Sequence, residues 1–192
     1  MIDFIRFDYD NSIDLGFQKY VVFGEITKKN IQGCLIYAET TKELREKLRK
    51  AKGLVGVISC KEEVNKYAVM RKKVDILLDF PERRLDYVTV KLAKEKDVMI
   101  EIALSNLLSV KGIKRAMLVK ELRTLFKVIK KFDTPFILTS GAKDFYQLRQ
   151  KKQIHEVFEY LGADVKRSDY WAERLYRRLF DEKYIMDGLE IL

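Results

Sequence analysis

The chain has 192 residues, of which 47% are apolar and 35% are charged, and a chain of this length usually folds as a single domain. The apolar share is sufficient for a hydrophobic core, which excludes disorder over most of the length, and no stretch approaches the roughly 20 consecutive apolar residues of a membrane span. The formal net charge of +9 favours a polyanionic partner, nucleic acid first and an anionic membrane surface second.

Short apolar runs alternate with amphipathic segments along the chain. Their lengths and β-branched content predict strands that are buried on both faces, as in a parallel sheet. The runs that start near Cys34, Leu54, Val74 and Val98 are spaced by 20 to 24 residues, which fits one strand, one helix and two short loops. The seven runs are residues 2–7, 20–26, 34–38, 54–58, 74–78, 98–104 and 136–138.

Helix start signals stand between the runs. Residues 40–43 and 59–62 have the spacing of a capping box, in which a hydroxyl caps one amide and a glutamate reaches back to another. The longest helix is predicted over residues 113–132, because its apolar positions follow a spacing of three and four. That stripe consists of Leu118, Leu122, Leu125, Ile129 and Phe132.

The order of these elements predicts an α/β fold with parallel strands and amphipathic helices outside. A TIM-like (β/α) barrel is favoured. It must be a reduced version, because the chain is shorter than the roughly 200 residues at the low end for that fold. An eighth strand is weakly indicated at residues 162–165 or 184–192. An open doubly wound sheet is the alternative, although no GxGxxG or Walker motif is present. No linker divides the chain, so one domain is expected over residues 1–192.

Few side chains of the kinds that build catalytic or metal sites are present. His155 is the only histidine, which excludes a site that gathers several His ligands, and no serine lies in a GxSxG motif. Cys34 and Cys60 have no CxxC partner and are expected to be reduced thiols, which favours a cytoplasmic protein. A magnesium site made of carboxylates alone remains an alternative.

Polar side chains at the carboxyl ends of the predicted strands are the first candidates for a site, since functional groups gather there in barrels. Asp79, Ser59 and Asn106 are expected to cap helices, which explains them without a ligand. Glu101 lies inside a strand and could face either side of it. The turn at residues 139–142 combines hydroxyls with a glycine, so it suits either a phosphate or a simple tight turn.

Basic stretches are the stronger signal. One lies on the long helix opposite its leucine stripe, a second covers residues 149–152 and 166–167, and a third comprises residues 174–178. A single stripe is usually a solvated face, but several together favour a surface that tracks phosphates. Exposed aromatics are not interleaved with them as in an RNA-recognition motif, so stacking of single strands is not expected. The candidate RNA contacts are Lys120, Arg123, Lys127, Lys143, Arg149, Lys151 and Lys152.

An ordered combination of segments resembles the family of archaeal ribonuclease P protein component 3, which includes the barrel subunit of eukaryotic ribonuclease P and the MRP particle. The segments are VDILL at residues 74–78, VMIEIALSNLL at 98–108, FILTSGA at 136–142 and the Leu148-Arg149 step. From about residue 166 the sequence departs from the family pattern: an expected small-residue segment with a proline is replaced by KRSDYW at 166–171.

The resemblance implies a reduced (β/α) barrel that binds and stabilises the catalytic RNA of ribonuclease P. In this family the RNA, with its Mg²⁺ ions, removes the 5′ leader from precursor tRNA. The implied partners are that RNA, precursor tRNA as the substrate of the holoenzyme, a small subunit of α/β-sandwich type and the other ribonuclease P proteins, with no membrane. The chain alone is expected to have no catalytic residues and to bind neither a metal nor another cofactor.

Apolar residues beyond the leucine stripe have two interpretations. They either widen the buried face of the long helix or form an interface with the small subunit that the resemblance implies. Two further functions also remain: a barrel phosphoesterase that uses its own metal, and a structural binding barrel in a different assembly. The interface candidates are Leu107, Ile113, Met117, Val119 and Phe126.

Overall fold

The computed structural model describes residues 2–10, 12–24, 30–186 and 189–190. Each of the seven apolar runs overlaps a β-strand that begins within two residues of the start of the run. Residues 25 and 26 of the second run lie outside the described residues. The strands are β1 (Ile2–Ile5), β2 (Lys19–Val22), β3 (Ile31–Gln32), β4 (Cys34–Tyr37), β5 (Val55–Ile58), β6 (Ile76–Leu77), β7 (Met99–Ala103), β8 (Phe136–Thr139), β9 (Tyr184–Met186) and β10 (Leu189–Glu190).

Helices alternate with the strands from β4 to β8. The long helix is confirmed, with its start one residue before the predicted position. A short 3₁₀ turn (Phe145–Gln147) precedes the sixth helix. The helices are α1 (Thr41–Lys50), α2 (Glu62–Val69), α3 (Tyr87–Glu95), α4 (Leu104–Ser109), α5 (Gly112–Phe132), α6 (Lys151–Tyr160) and α7 (Val165–Phe180).

The two predicted capping boxes have different outcomes. At α1 the prediction is confirmed, because the Thr40 hydroxyl accepts a hydrogen bond from the Glu43 amide at 3.2 Å. At α2 the prediction is wrong: the Ser59 hydroxyl accepts instead from the amide of Lys61, only two residues on, at 3.1 Å. Lys61 then occupies the N-cap position and its side chain caps nothing. A Ser that closes its own local turn is no longer available as a cap.

The strands form two parallel sheets and one C-terminal hairpin. The first sheet has the order β1-β2-β3 and the second the order β4-β5-β6-β7-β8. All pairs within these two sheets are parallel, whereas β9 and β10 pair antiparallel. An α/β fold with parallel strands is therefore confirmed. Among the described residues, no helix has the length and apolar character needed to cross a membrane.

The two parallel sheets meet at consecutive residues of one chain segment. The Gly33 amide donates to the carbonyl of Val22 on β2 at 2.9 Å. The next amide, that of Cys34, donates in the other direction, to the carbonyl of Leu54 before β5, at 2.7 Å. Because the amides of an extended chain point alternately to its two sides, β3 and β4 together connect the two sheets.

Glycine makes the room that the core requires at this junction. The ring of Phe23 is 1% exposed and packs edge-on against Phe4, with 5.3 Å between the ring centroids. A Cβ atom on Gly33 would lie 2.4 Å from this ring, and one on Gly56 would lie 2.4 Å from the Leu78 side chain. Neither distance is possible between real atoms, so both positions need glycine to seat a large side chain.

A second junction links the end of β8 to β1. The Gly141 amide donates to the carbonyl of Phe4 at 3.1 Å, and the Arg6 amide donates to the carbonyl of Ala142 at 2.7 Å. Gly141 has φ +57°, a conformation that costs other residues free energy. Glycine at this position therefore suits the sharp turn that brings β8 and β1 together.

The sequence offered two positions for an eighth strand, residues 162–165 and 184–192, and their outcomes differ. Residues 162–165 do not form a strand: Asp164 caps α7 by accepting from the Arg167 amide at 3.0 Å, so Val165 is already helical. Residues 184–186 and 189–190 are extended as predicted, but β9 and β10 pair with each other antiparallel and do not join a parallel sheet. The further parallel strand is β3, which none of the seven apolar runs predicted. Residues 187, 188, 191 and 192 lie outside the described residues.

Asp3 on β1 is fully buried and is bound by Ser140 after β8. The Ser140 amide donates to Oδ1 at 2.8 Å, and its hydroxyl donates to Oδ2 at 2.6 Å. Burial raises the pKa of Asp3 to about 7, although the two hydrogen bonds from Ser140 favour the ionised form. The folded chain therefore binds a proton at Asp3 more tightly than the unfolded chain, in which Asp titrates at roughly pH 4.

We predict that Asp3 makes the free energy of unfolding fall as the pH rises from about 4 to 7, with a slope of at most about 1.4 kcal/mol per pH unit. The neutral, equally large Asp3→Asn side chain should remove this part of the pH dependence. Urea unfolding at several pH values measures it, with exposed Asp10→Asn as the control. Equal slopes for the wild-type and Asp3→Asn proteins would contradict the prediction.

Candidate nucleic-acid interface

A fully buried carboxylate, Glu101 on β7, organises the carboxyl ends of the strands. Its Oε2 accepts from the guanidinium of Arg6 at 2.5 Å and from the Asp79 amide at 2.7 Å. Its Oε1 accepts from the Thr139 hydroxyl at 2.8 Å. The Glu101 side chain therefore faces the strand ends of β1, β6 and β8, and donors of this chain occupy both of its oxygens.

Asp79 is a second carboxylate of this network. Its Oδ2 accepts from the Ala103 amide at 2.7 Å, and its Oδ1 lies 2.9 Å from the Arg83 guanidinium. Arg83 also donates to the main-chain carbonyl of Glu101 at 2.7 Å. Each of the two carboxylates thus has an arginine of its own, as buried charges require.

These carboxylates do not fit a metal site. Their oxygens are already bound, and within the described ranges no group of three or more His, Cys, Asp or Glu side chains is placed to hold a metal ion.

The predicted helix caps are also corrected. Asp86 caps α3, by accepting from the Thr89 amide at 2.8 Å, and Asn106 lies inside α4. Asp79 is thus an ion-pair partner and not a cap.

The hydroxyl-rich turn at residues 139–142 is closed to a phosphate. The amide and hydroxyl of Ser140 are bound to Asp3, the Gly141 amide is bound to Phe4, and the Thr139 hydroxyl is bound to Glu101. Residues 139–142 are also buried. The structure thus supports the tight-turn interpretation.

The basic stretch on α5 is exposed as predicted. Lys120, Arg123 and Lys127 follow one another at spacings of three and four residues, so they share one face of the helix. The Arg123 guanidinium lies 5.7 Å from the centre of the Tyr160 ring at the end of α6. In the described part of the chain, neither Lys120 nor Lys127 is paired with a carboxylate. The charges of this face are therefore solvated and available to a polyanion.

The second basic stretch is only partly available. Lys143 is exposed, and the Lys152 side chain is 84% exposed, with the nearest Glu156 oxygen at 3.9 Å. Lys151 lies 3.4 Å from an oxygen of Asp169. The half-buried Arg149 donates to main-chain carbonyls of its own loop. Lys143 and Lys152 are therefore the freer cations here.

The third basic stretch is neutralised within the protein. Arg174 forms a bidentate pair with Asp97, at 2.6 and 2.8 Å, and Arg178 lies 2.8 Å from Asp75. These carboxylates stand in the segments before β7 and β6, so the arginines fasten α7 across the start of the strands. A stretch that looks basic in the sequence thus adds little free charge to the surface.

An apolar patch lies on the first half of α5, next to Lys120. Ile113 is 81% and Met117 is 58% exposed, and the half-buried Leu107 belongs to the preceding α4. The half-buried Val119, two residues after Met117, points to another side of α5 and packs against the core. A groove of about 880 Å³ adjoins the patch between α5 and the segment before α3. Its apolar lining includes Phe80, Leu85, Tyr87, Met117, Leu125 and Val128.

Phe126, the fifth interface candidate, belongs to the core and not to this patch. It is 3% exposed, and its ring centroid lies 6.4 Å from that of Phe136 and 6.1 Å from that of Phe158. Its position is four residues after Leu122 and three before Ile129, so all three lie on the buried side of α5. The wider-core interpretation is right for Phe126.

Exposed aromatic side chains stand among the basic residues, which the sequence did not lead us to expect. Tyr146 is 87% exposed, Tyr160 is 78% exposed and Phe145 is 49% exposed. The adjacent pair at 145 and 146 lies between Lys143 and Arg149. Two aromatics stand here between two bases, in a segment without helical or strand periodicity. This pattern could have indicated from the sequence that the two rings are exposed.

Comparisons with known proteins give consistent matches. The family described as RNase P subunit p30 matches residues 3–183. The ribonuclease P protein component 3 of Archaeoglobus fulgidus is 48% identical over 193 residues, covering 100% of this chain and 96% of that protein. The protein of the same name from Methanocaldococcus jannaschii is 28% identical over 76% of this chain and 67% of its own length. A chain in the structure of archaeal ribonuclease P with mature tRNA has a similar fold, with a TM-score of 0.80, 22% identity and coverage of 100% and 98%.

Proposed function

The chain belongs to the RNase P subunit p30 family, and from this membership we propose that it is a protein subunit of ribonuclease P, the RNA-based endoribonuclease that removes the 5′ leader from precursor tRNA. The observation that carries the proposal is the family match over residues 3–183. The catalytic RNA with its Mg²⁺ performs the cleavage, and this chain binds and stabilises that RNA. The strand-end carboxylates, each held by an arginine, are consistent with a chain that is not itself catalytic.

We propose that the two parallel sheets form one reduced, TIM-like (β/α) barrel. Main-chain hydrogen bonds at both junctions support closure, at Gly33 and Cys34 between the sheets and at Gly141 and Arg6 between β8 and β1. We also propose a single domain over residues 1–192, because one main core cluster includes side chains from β1 to α7.

The RNA-binding surface is proposed on the exposed cations of α5 and the loop before α6. Lys120, Arg123 and Lys127 would contact phosphates on α5, and Lys143 and Lys152 would extend the surface. Arg149 and Lys151 have partners of their own and contribute less. Such contacts position an RNA without reading its sequence.

The small α/β-sandwich subunit is proposed to bind the apolar patch of α5. Ile113 and Met117 would enter the partner's surface, and the half-buried Leu107 on α4 would support them, whereas Val119 packs against the core. An apolar centre beside charged residues such as Lys120 matches the anatomy of stable interfaces. The remaining ribonuclease P proteins belong to the same proposed assembly.

We predict that this chain alone, with Mg²⁺, leaves precursor tRNA intact, because its carboxylates are occupied by its own donors. Addition of the cognate RNA and the other subunits should give cleavage at the 5′ leader, which gel electrophoresis of labelled precursor tRNA detects. Cleavage by the isolated chain that is lost in Asp79→Asn would instead support the metal-dependent phosphoesterase.

We predict that replacing Lys120, Arg123 and Lys127 together by Ala weakens binding to the ribonuclease P RNA and lowers the slope of log K against log salt by about 2 to 3, at roughly 0.7–0.9 per phosphate contact. Filter binding over a salt series measures both quantities. The control replaces three exposed cations on α1, Lys42, Arg45 and Lys50, which changes the net charge equally. Equal effects of the two triple variants would argue against this surface.

We predict that Met117→Asp abolishes co-elution with the small subunit, because a charge buried at the centre of an interface without a partner is costly. Circular dichroism should show an unchanged fold, since the side chain is 58% exposed. Met70→Asp, at the C-cap of α2, where the side chain is 48% exposed, is the control. Co-elution that survives Met117→Asp would exclude Met117 from the interface.

A further inference from the structure

Tyr146, on the 3₁₀ turn between β8 and α6, is 87% exposed, more than any other large apolar side chain in the described residues. Phe145 beside it is 49% exposed and leans towards Tyr9, with 6.4 Å between the ring centroids. The Phe145 and Tyr146 rings stand nearly perpendicular, at 84° and 6.3 Å. A single exposed aromatic is ordinary on a protein surface, so the construction of the loop decides what it means.

Hydrogen bonds fix the loop that carries Tyr146. The Asp144 carboxylate accepts from the Gln147 amide at 3.1 Å and from its side-chain Nε2 at 3.0 Å. The Gln147 side-chain oxygen in turn accepts from the Lys143 amide at 3.2 Å. The Arg149 guanidinium donates to the main-chain carbonyl of Tyr146 at 2.7 Å. The Tyr146 ring itself takes no part in these bonds, so the loop is held by other groups.

Leu148, two residues after Tyr146, anchors the loop to the protein. Leu148 is 8% exposed and belongs to a core cluster with Ile5 and Tyr20. The backbone on either side of the ring is therefore fastened. Ordering of the platform is achieved on folding, which lowers the entropic cost of binding a flat ligand.

The surroundings of the ring are cationic and polar. Lys143 is exposed three residues before it, and Lys152 is exposed at the start of α6. Exposed aromatic faces combined with cations are the means by which proteins bind single-stranded nucleic acid. Along the chain, Asp144, Gln147 and Gln150 make the segment polar apart from Phe145 and Leu148.

We propose that Tyr146, supported by Phe145, is a stacking platform for an unpaired base of RNA, with Lys143 and Lys152 beside the adjacent phosphates. This inference rests on the proposed function and adds to it a site for single-stranded nucleotides. A base in a duplex is stacked on both faces by its neighbours, so the ring discriminates in favour of unpaired RNA.

The test compares the full-length chain with the variants Tyr146→Ala and Tyr146→Phe. The probes are a fluorescent oligoadenylate of about 12 nucleotides, within the usual site size, and an RNA duplex of equal length. Fluorescence anisotropy should show Tyr146→Ala weakening single-strand binding by about 5- to 150-fold, the equivalent of one stacked base. Tyr146→Phe should bind like the wild type, and duplex affinity should not change. The salt slope should also stay constant, because the ring carries no charge.

Tyr37→Ala is the control, since its ring is 41% exposed and lies on β4, outside the proposed RNA-binding surface. Its single-strand affinity should change less than twofold. An unchanged affinity in Tyr146→Ala, an equal loss in Tyr37→Ala, or no single-strand binding by the wild type would each overturn the platform. So would loss of co-elution with the small subunit at unchanged RNA affinity, which would assign the ring to a protein interface. Cleavage of precursor tRNA by the reconstituted holoenzyme tests the proposed function separately, and it would persist if only the platform failed.

Discussion

The burial of the Glu101 charge constrains the whole carboxyl end of the strands. A carboxylate without access to water is stable only if donors surround it, and here Arg6 from β1, the Asp79 amide after β6 and the Thr139 hydroxyl at the end of β8 do so. Three strands are thereby tied to β7 through one side chain. Replacing Arg6 would leave the buried Glu101 charge without its cation, which typically costs about 3–5 kcal/mol, or roughly half of a small protein's stability.

This network also decides where function can lie. In a fold of this kind the strand ends usually carry the reactive groups, but here Asp79 is held by Arg83 and Glu101 by Arg6. The space is filled by structural ion pairs, and the exposed surface left for binding lies on the outer helices and on the loop after β8. The ion pairs that stabilise the strand ends are therefore consistent with the proposal that this chain binds RNA and that the RNA carries out the chemistry.

Charge pairing sorts the cations of the outer layer into two groups. On α7 the arginines meet carboxylates that stand before the strands, as Arg167 does with Asp133 at 2.7 and 2.5 Å, and they act as fasteners. On α5 the Lys120 and Lys127 side chains face water. Ile113 and Met117 lie about two turns and one turn before Lys120 on the same side of α5, so the apolar patch and the cations follow one another along this helix.

The sequence was sufficient to predict seven strands, the parallel α/β class and the long helix, because buried strands and amphipathic helices leave a periodic apolar pattern that is local along the chain. The sequence also indicated the family, through ordered segments that resemble it. It could not determine which charges are paired, since Arg174 and Asp97 are 77 residues apart and only the packing of α7 brings them together. It left open whether Phe126 belongs to the core or to an interface, and it did not reveal that side-chain hydrogen bonds hold the loop at Tyr146. Contacts between distant segments depend on the tertiary fold, and they decided which cations, rings and apolar side chains are free to bind.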